Sequence, residues 1–330
     1  MSVYNEEANL EQKLASLETL DYPKERIEIL IGSDGSTDNT NKILEGVARS
    51  QGHKVTSKIE SDRKGKPSML NKLDAMAKGE IIIFTDARQR LDKDSIKELV
   101  SHFADKKVGS VSAELHFEEE ISQAGRGMGL YWEYEKFIRK SESKLGSMLG
   151  ATGALYAVRR ELIPLLPADL ILDDIYIPMH AVQKGFRAIL DPKAKVYDRF
   201  SKSAKEEFLR KTRTLAGNFQ LFLYCKWLFN PFKCIIGWQF ISHKFLRLVV
   251  PFLLAAVLIS SFSLSPVNNY YLIFDYAQVI FYICAVMGIF LKQKSRICDV
   301  AYMFCVLNAA AVVGLYKFIT KRQEVTWERA

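Results

Sequence analysis

Ile27-Glu28-Ile29-Leu30-Ile31-Gly32-Ser33-Asp34-Gly35-Ser36-Thr37-Asp38 is a short apolar run that stops on a cluster of polar turn residues. An apolar run of roughly four to eight residues bounded by turn formers reads as a buried strand. The same grammar returns at Ile81-Ile82-Ile83-Phe84, which stops on Thr85-Asp86-Ala87-Arg88. Around these strands, Leu10, Leu14 and Leu17 recur at helical spacing, and residues 38–49, 67–77 and 94–103 read as helices. Residues 54–59 and 108–115 read as further strands. Strand–helix alternation predicts an α/β fold with a parallel sheet covered on both faces. In such sheets, ligands bind beyond the carboxyl ends of the strands. The turns Tyr4-Asn5-Glu6, Ser33-Asp34-Gly35-Ser36 and Thr85-Asp86-Ala87-Arg88 are therefore expected on one rim. Any one of them alone reads equally well as a helix cap. Only Met1-Ser2-Val3 precedes the first turn, too little for a first strand, so the natural start is expected further upstream, with room for another membrane helix.

Composition divides the 330 residues in two. Residues 208–330 hold 14 Lys+Arg against 4 Asp+Glu, a charge of +10; the remainder, 32 against 34, carries −2, and together they give +8. All five cysteines (Cys225, Cys234, Cys284, Cys298, Cys305) fall in the second part, and no disulfide framework emerges, which fits a reducing compartment. A mean hydropathy of −0.02 hides this division. With 48% hydrophobic residues, a disordered or collagen-like chain is excluded.

Between Arg247 and Lys292 the only charged residue is Asp275. That run splits at Ser265-Pro266-Val267-Asn268-Asn269 into segments 246–265 and 270–291, each close to the ~20 apolar residues that cross a bilayer. A third segment lies at 299–319. Residues 208–247 carry seven Lys/Arg and no carboxylate, interleaved with Phe, Tyr and Trp. Aromatic rings favour the headgroup level and cations favour anionic lipid, so this stretch is expected to lie in the interface, broken near Asn230-Pro231. Spans directly downstream argue against nucleic acid as the partner of the basic excess. The positive-inside bias puts His243-Lys244 with Arg247, and Lys292-Gln293-Lys294-Ser295-Arg296, on the cytoplasmic side. A full third crossing would export Lys317, Lys321 and Arg322 against that bias, so its topology stays open.

Taken in order, Tyr4-Asn5-Glu6-Glu7, Ser33-Asp34-Gly35-Ser36-Thr37-Asp38, Lys64-Gly65-Lys66 with Asn71, Thr85-Asp86-Ala87-Arg88, Gly150-Ala151-Thr152-Gly153-Ala154, Leu172-Asp173-Asp174, Gly185-Phe186-Arg187 and Arg210-Lys211-Thr212-Arg213 resemble the membrane-anchored family 2 glycosyltransferases, relatives of polysaccharide synthases. The resemblance implies a GT-A nucleotide-sugar-binding domain over residues 1–207, interfacial helices over 208–245 and transmembrane helices over 246–330. It implies an integral membrane enzyme with a cytoplasmic donor site. Asp34 would accept from the uracil N–H beside Tyr4 and Glu6, and Lys66 would counter the diphosphate. Asp86 takes the first position of the family's Asp-any-Asp motif, which handles ribose and a divalent cation, Mg²⁺ or Mn²⁺. Arg88 stands where the second carboxylate belongs; it weakens the metal's case and offers itself as a counter-ion to the leaving group.

Asp174 matches the general base, which a sugar hydroxyl needs because it is a poor nucleophile until a carboxylate takes its proton. Asp173 beside it reads as a helix cap or an acceptor contact, and Thr152-Gly153 as an acceptor-facing turn or a plain strand bulge. Tyr131, Trp132, Glu135 and Arg139 share helical spacing, with Glu135 and Arg139 read as an i,i+4 pair. Arg213 retains the cation of the Gln-any-any-Arg-Trp motif, whose Gln and Trp are absent. That absence favours transfer of one or a few sugars to a lipid-linked or saccharide acceptor, with inversion, over processive polymer synthesis. A non-catalytic membrane protein that binds nucleotide sugars and regulates a partner is the reading from another class.

Overall fold

The computed structural model describes residues 1–47, 54–118, 123–201, 203–232, 234–291 and 294–326. Ala48 and Arg49 of the second expected helix, Lys233 of the interfacial stretch, and Lys292 and Gln293 of the basic loop lie outside the described residues. The chain divides into two compact units: residues 1–118, 138–199 and 324–329, and residues 119–137 and 200–323 with residue 330.

The first unit is α/β. Strands β1 (Ser2–Val3), β2 (Glu28–Asp34) and β3 (Lys54–Glu60) form a parallel sheet in that order. The other five strands are β4 (Ile81–Thr85), β5 (Arg90–Leu91), β6 (Val108–Glu118), β7 (Leu155–Arg159) and β8 (Arg187–Arg199). They form a second sheet in the order β4-β7-β6-β8-β5. Here the expectation of a wholly parallel sheet is corrected. Strand β7 enters between β4 and β6 and runs antiparallel to both, and β5 runs antiparallel to β8; only β6 and β8 are parallel. A buried strand is apolar on both faces in either direction, so its sense is invisible in the apolar pattern.

Helix α1 (Glu7–Glu18) and helix α2 (Thr40–Val47) supply Leu10, Leu17 and Leu44 to a core with Ile31, Val111, Leu155 and Val196. Each fully buried Leu, Ile or Val stabilises by about 1.5–3 kcal/mol relative to exposure. Helix α3 (Lys66–Met76) crosses β2 at Gly32, where any Cβ would collide with the Met69 side chain. That close crossing fixes the start of α3 against the end of β2. Helix α4 (Ser95–Ser101) and helix α6 (Asp173–Gln183) complete the unit, while α5 (Gln123–Leu145) belongs partly to each unit.

The second unit is helical. Helix α7 (Ala204–Tyr224) precedes a 3₁₀ turn at Lys226–Phe229, and three helices follow: α8 (Ile235–Leu264), α9 (Tyr270–Leu291) and α10 (Arg296–Ile319). All three are long and apolar enough to cross a membrane. Helix α8 starts eleven residues before the expected span (235 against 246), through a π-helical turn at Phe240–Phe245. Helix α7 packs on α10 through Leu215, Phe219, Ala310 and Ala311. Gly314 permits this approach, since a Cβ there would meet Ala216 N at 3.1 Å. Glu135 binds Arg247 Nη2 at 3.0 Å and His243 Nε2 at 3.2 Å within this unit. Glu135 thus has partners on α8 in addition to the i,i+4 role read for it in the sequence.

Candidate active site

The site grows from the carboxyl end of β2. Asp34, its last residue, is 2% exposed and accepts from the backbone N–H of Lys64 (2.9 Å) and of Gly65 (2.7 Å). These bonds draw the Arg63-Lys64-Gly65 turn onto the strand end. Gly65 takes φ +91°, a left-handed conformation that suits glycine, and α3 begins at the next residue. Val325 of the C-terminal segment lies against Gly65. The Arg63 guanidinium stacks on Tyr4 at 3.5 Å from the ring centroid. Glu6 takes part in opening α1: its carboxylate accepts from Asn9 Nδ2 (2.6 Å) and its N–H donates to Thr40 Oγ1 (2.8 Å).

Lys66, first residue of α3, stands where the helix dipole disfavours a cation. Its side chain explains the placement. Nζ reaches Asp86 Oδ1 at 3.0 Å and Asp173 Oδ1 at 3.2 Å. Burial alone would lower the ammonium pKa, but Asp173, Asp86 and Asp174 together outweigh it and raise the value. Asp86 follows β4, and Asp173 opens α6, 4% exposed, with Tyr156 Oη donating to its Oδ2 at 3.4 Å.

Asp174 is the next residue and keeps part of its surface in solvent. Burial, then the like charge of Asp173, pushes its pKa from 3.8 to about 6, against the pull of Lys66 and Arg139. The turn before β7 wraps this carboxylate. Ala151 N–H donates to Asp174 O at 2.7 Å, Thr152 N–H donates to Ser112 Oγ at 3.0 Å, and a Cβ on Gly153 would stand 3.3 Å from Asp174 Oδ2. Asp34, Lys66, Asp86, Asp173, Asp174, Thr152 and Gly153 thus form one continuous constellation. Arg213 belongs to α7 in the second unit.

Lys13 was missed in the sequence. It is 1% exposed on α1 and donates to Thr85 Oγ1 (2.7 Å) and Gln89 O (3.0 Å), pinning the turn that carries Asp86. Burial lowers its pKa from 10.5 to about 7, with Asp86 opposing. The available signal was a lysine inside the Leu10–Leu17 apolar stripe of α1. Arg88 has a partner within the domain. Its guanidinium binds Asp198 Oδ2 at 2.6 Å, and Gln89 Nε2 shares that oxygen at 3.0 Å.

A divalent-cation site formed by protein side chains alone does not fit these residues. Hard cations gather several oxygen ligands, and Mg²⁺ commonly takes most of them from water and substrate phosphate around one or two carboxylates. Asp86 and Asp173 instead share the Lys66 ammonium, Arg88 occupies the second motif position, and among the described residues no group of three His, Cys, Asp or Glu is disposed to hold a metal.

A parallel half-sheet whose strand ends carry an acidic and basic cleft, joined to a mixed half-sheet, defines the class of GT-A α/β domains. The chain shares this fold with a mannosyltransferase from Pyrobaculum calidifontis solved with GDP-Man and Mn²⁺, at a TM-score of 0.76, 23% identity, and coverage of 97% of this chain and 86% of that one. Residues 1–164 match the model of glycosyl transferase family 2, so this α/β domain is a family 2 glycosyltransferase domain. A beta-monoglucosyldiacylglycerol synthase of Synechocystis sp. is 25% identical over 258 residues, 76% of this chain and 53% of the relative. A poly-beta-1,6-N-acetyl-D-glucosamine synthase of Staphylococcus aureus is 24% identical over 201 residues, 59% of this chain and 47% of the relative. The chain spans about half the length of these curated relatives.

Proposed function

We propose that this chain is an inverting glycosyltransferase that moves a sugar from a uridine diphosphate sugar to a lipid-linked or saccharide acceptor at the cytoplasmic membrane face. Residues 1–207 form the catalytic domain, 208–245 the interfacial helices and 246–330 the membrane anchor. The observation that carries the reading is the placement of Asp174, a partly exposed carboxylate with a raised pKa, against the Thr152-Gly153 turn and one residue from the Lys66–Asp173 pair. A general base works best with a pKa near the working pH. Asp174 takes the acceptor proton as the hydroxyl attacks the anomeric carbon, and the nucleoside diphosphate leaves from the opposite face. Tyr4, Glu6 and Asp34 line the base pocket, Lys66 and Asp86 the diphosphate and ribose, and Thr152, Gly153 and Asp173 the acceptor. Arg213 and Arg88 are donor contacts on the resemblance alone, and the Asp198 pairing of Arg88 argues for a supporting role there.

The relatives include both a glycolipid synthase and a polysaccharide synthase, so product length is the second question. Purified chain in detergent with UDP-sugars and lipid acceptors is expected to release UDP. Asp174→Asn is expected to stop release while UDP binding persists. Binding without turnover under any acceptor would favour the regulator instead. One added sugar on a defined lipid acceptor would separate single transfer from a ladder of products.

A further inference from the structure

We propose that Lys66 is the resident cation of this active site, so that neither donor binding nor transfer requires Mg²⁺ or Mn²⁺. This rests on the glycosyltransferase reading. The Lys66 ammonium bridges Asp86 and Asp173 at 3.0 and 3.2 Å, so the motif carboxylate Asp86 already has a cation of the chain beside it. Arg88 replaces the second motif carboxylate and is itself drawn to Asp198 at 2.6 Å. Asp86, Asp173 and Asp174 face Lys66, while Lys13 acts on Asp86 and Arg139 acts on Asp174.

Lysine suits the substituted role, being a compact point charge with three rotatable donors that can turn from carboxylate to phosphate. During transfer the bond from the anomeric carbon to the β-phosphate oxygen breaks, and its electron pair leaves with the diphosphate. The acceptor oxygen bonds to that carbon and its proton passes to Asp174. Lys66 donates hydrogen bonds to the departing phosphate and keeps its own proton.

The test is calorimetric titration of the full chain in detergent with UDP, first in excess EDTA and then with Mn²⁺, alongside turnover of UDP-sugars in both buffers. Wild type is expected to bind UDP with affinities within about threefold of each other and to turn over in EDTA. Lys66→Ala in EDTA is expected to bind at least roughly tenfold more weakly, with Lys66→Arg recovering part of the loss. UDP binding or turnover by wild type only with Mn²⁺ would overturn the proposal, as would undiminished UDP binding by a folded Lys66→Ala variant. Should Lys66→Ala not fold, the wild-type comparison decides alone. If neither UDP nor GDP binds in either buffer, the glycosyltransferase reading fails and this proposal with it, a pattern distinct from Mn²⁺-dependent binding.

Discussion

A carboxylate that must accept a proton has to be ionised first, and the surroundings of Asp174 set the pH at which that happens. With its pKa raised to about 6, activity is expected to climb with pH through about 6. Lys13 titrates in the other direction. Burial brings its pKa down to about 7, so donor affinity is expected to weaken toward alkaline pH and kcat/KM to pass through a maximum. In Lys13→Met the falling limb should disappear; a pH–rate profile of both proteins checks this. The same shift has a stability consequence. The fold favours the protonated Asp174, so this contribution is full below about 4 and is lost as pH rises through about 6. Asp174→Asn is therefore expected to raise Tm at pH 8 while abolishing transfer, measured by thermal melts beside UDP release. Asp34 and Asp86 were legible in sequence because each stands in a polar turn after an apolar run, and Asp174 because it matches the family motif. Lys13 was not, because only the tertiary arrangement brings α1 beside the turn after β4.

Turns that touch the site have less freedom than their small residues suggest. Gly150 takes φ +79°, and a Cβ there would lie 2.7 Å from Ile175 Cγ1. Strain and overpacking together should cost Gly150→Ala about 2–4 kcal/mol, seen as a lower denaturation midpoint. Gly153→Ala differs, since its Cβ would press on the Asp174 carboxylate at 3.3 Å without a backbone collision. Turnover should fall several-fold with little change in Tm, about 0.5 kcal/mol or less. Strands β5 and β8 were not read in the sequence, whereas β2, β3, β4 and β6 followed from apolar runs and turn residues. The antiparallel β7 did not, since hydrophobicity carries no direction.

For the molecule as a whole, the dominant physical feature is three consecutive apolar helices over residues 235–319. Their outer surfaces carry large hydrophobic side chains such as Phe252, Ile259, Ile273, Phe274 and Phe290, which lipid would cover. The expressed chain is expected to stay in the membrane pellet through high-salt and alkaline washes and to enter solution only with detergent. Release by salt alone would show that charge, not apolar burial, holds it there.

Length, apolar runs and turn chemistry indicated by themselves an α/β domain followed by long apolar helices, with polar turns at its strand ends, while the nucleotide-sugar reading came from the family resemblance. These are local properties, written in consecutive residues. Only the tertiary structure decided which charges meet. It gave Lys66 to Asp86 and Asp173, Arg88 to Asp198, and Lys13 to Thr85, across separations of up to 110 residues. Ion pairing depends on distances of a few ångströms between elements, and no one-dimensional spacing encodes those.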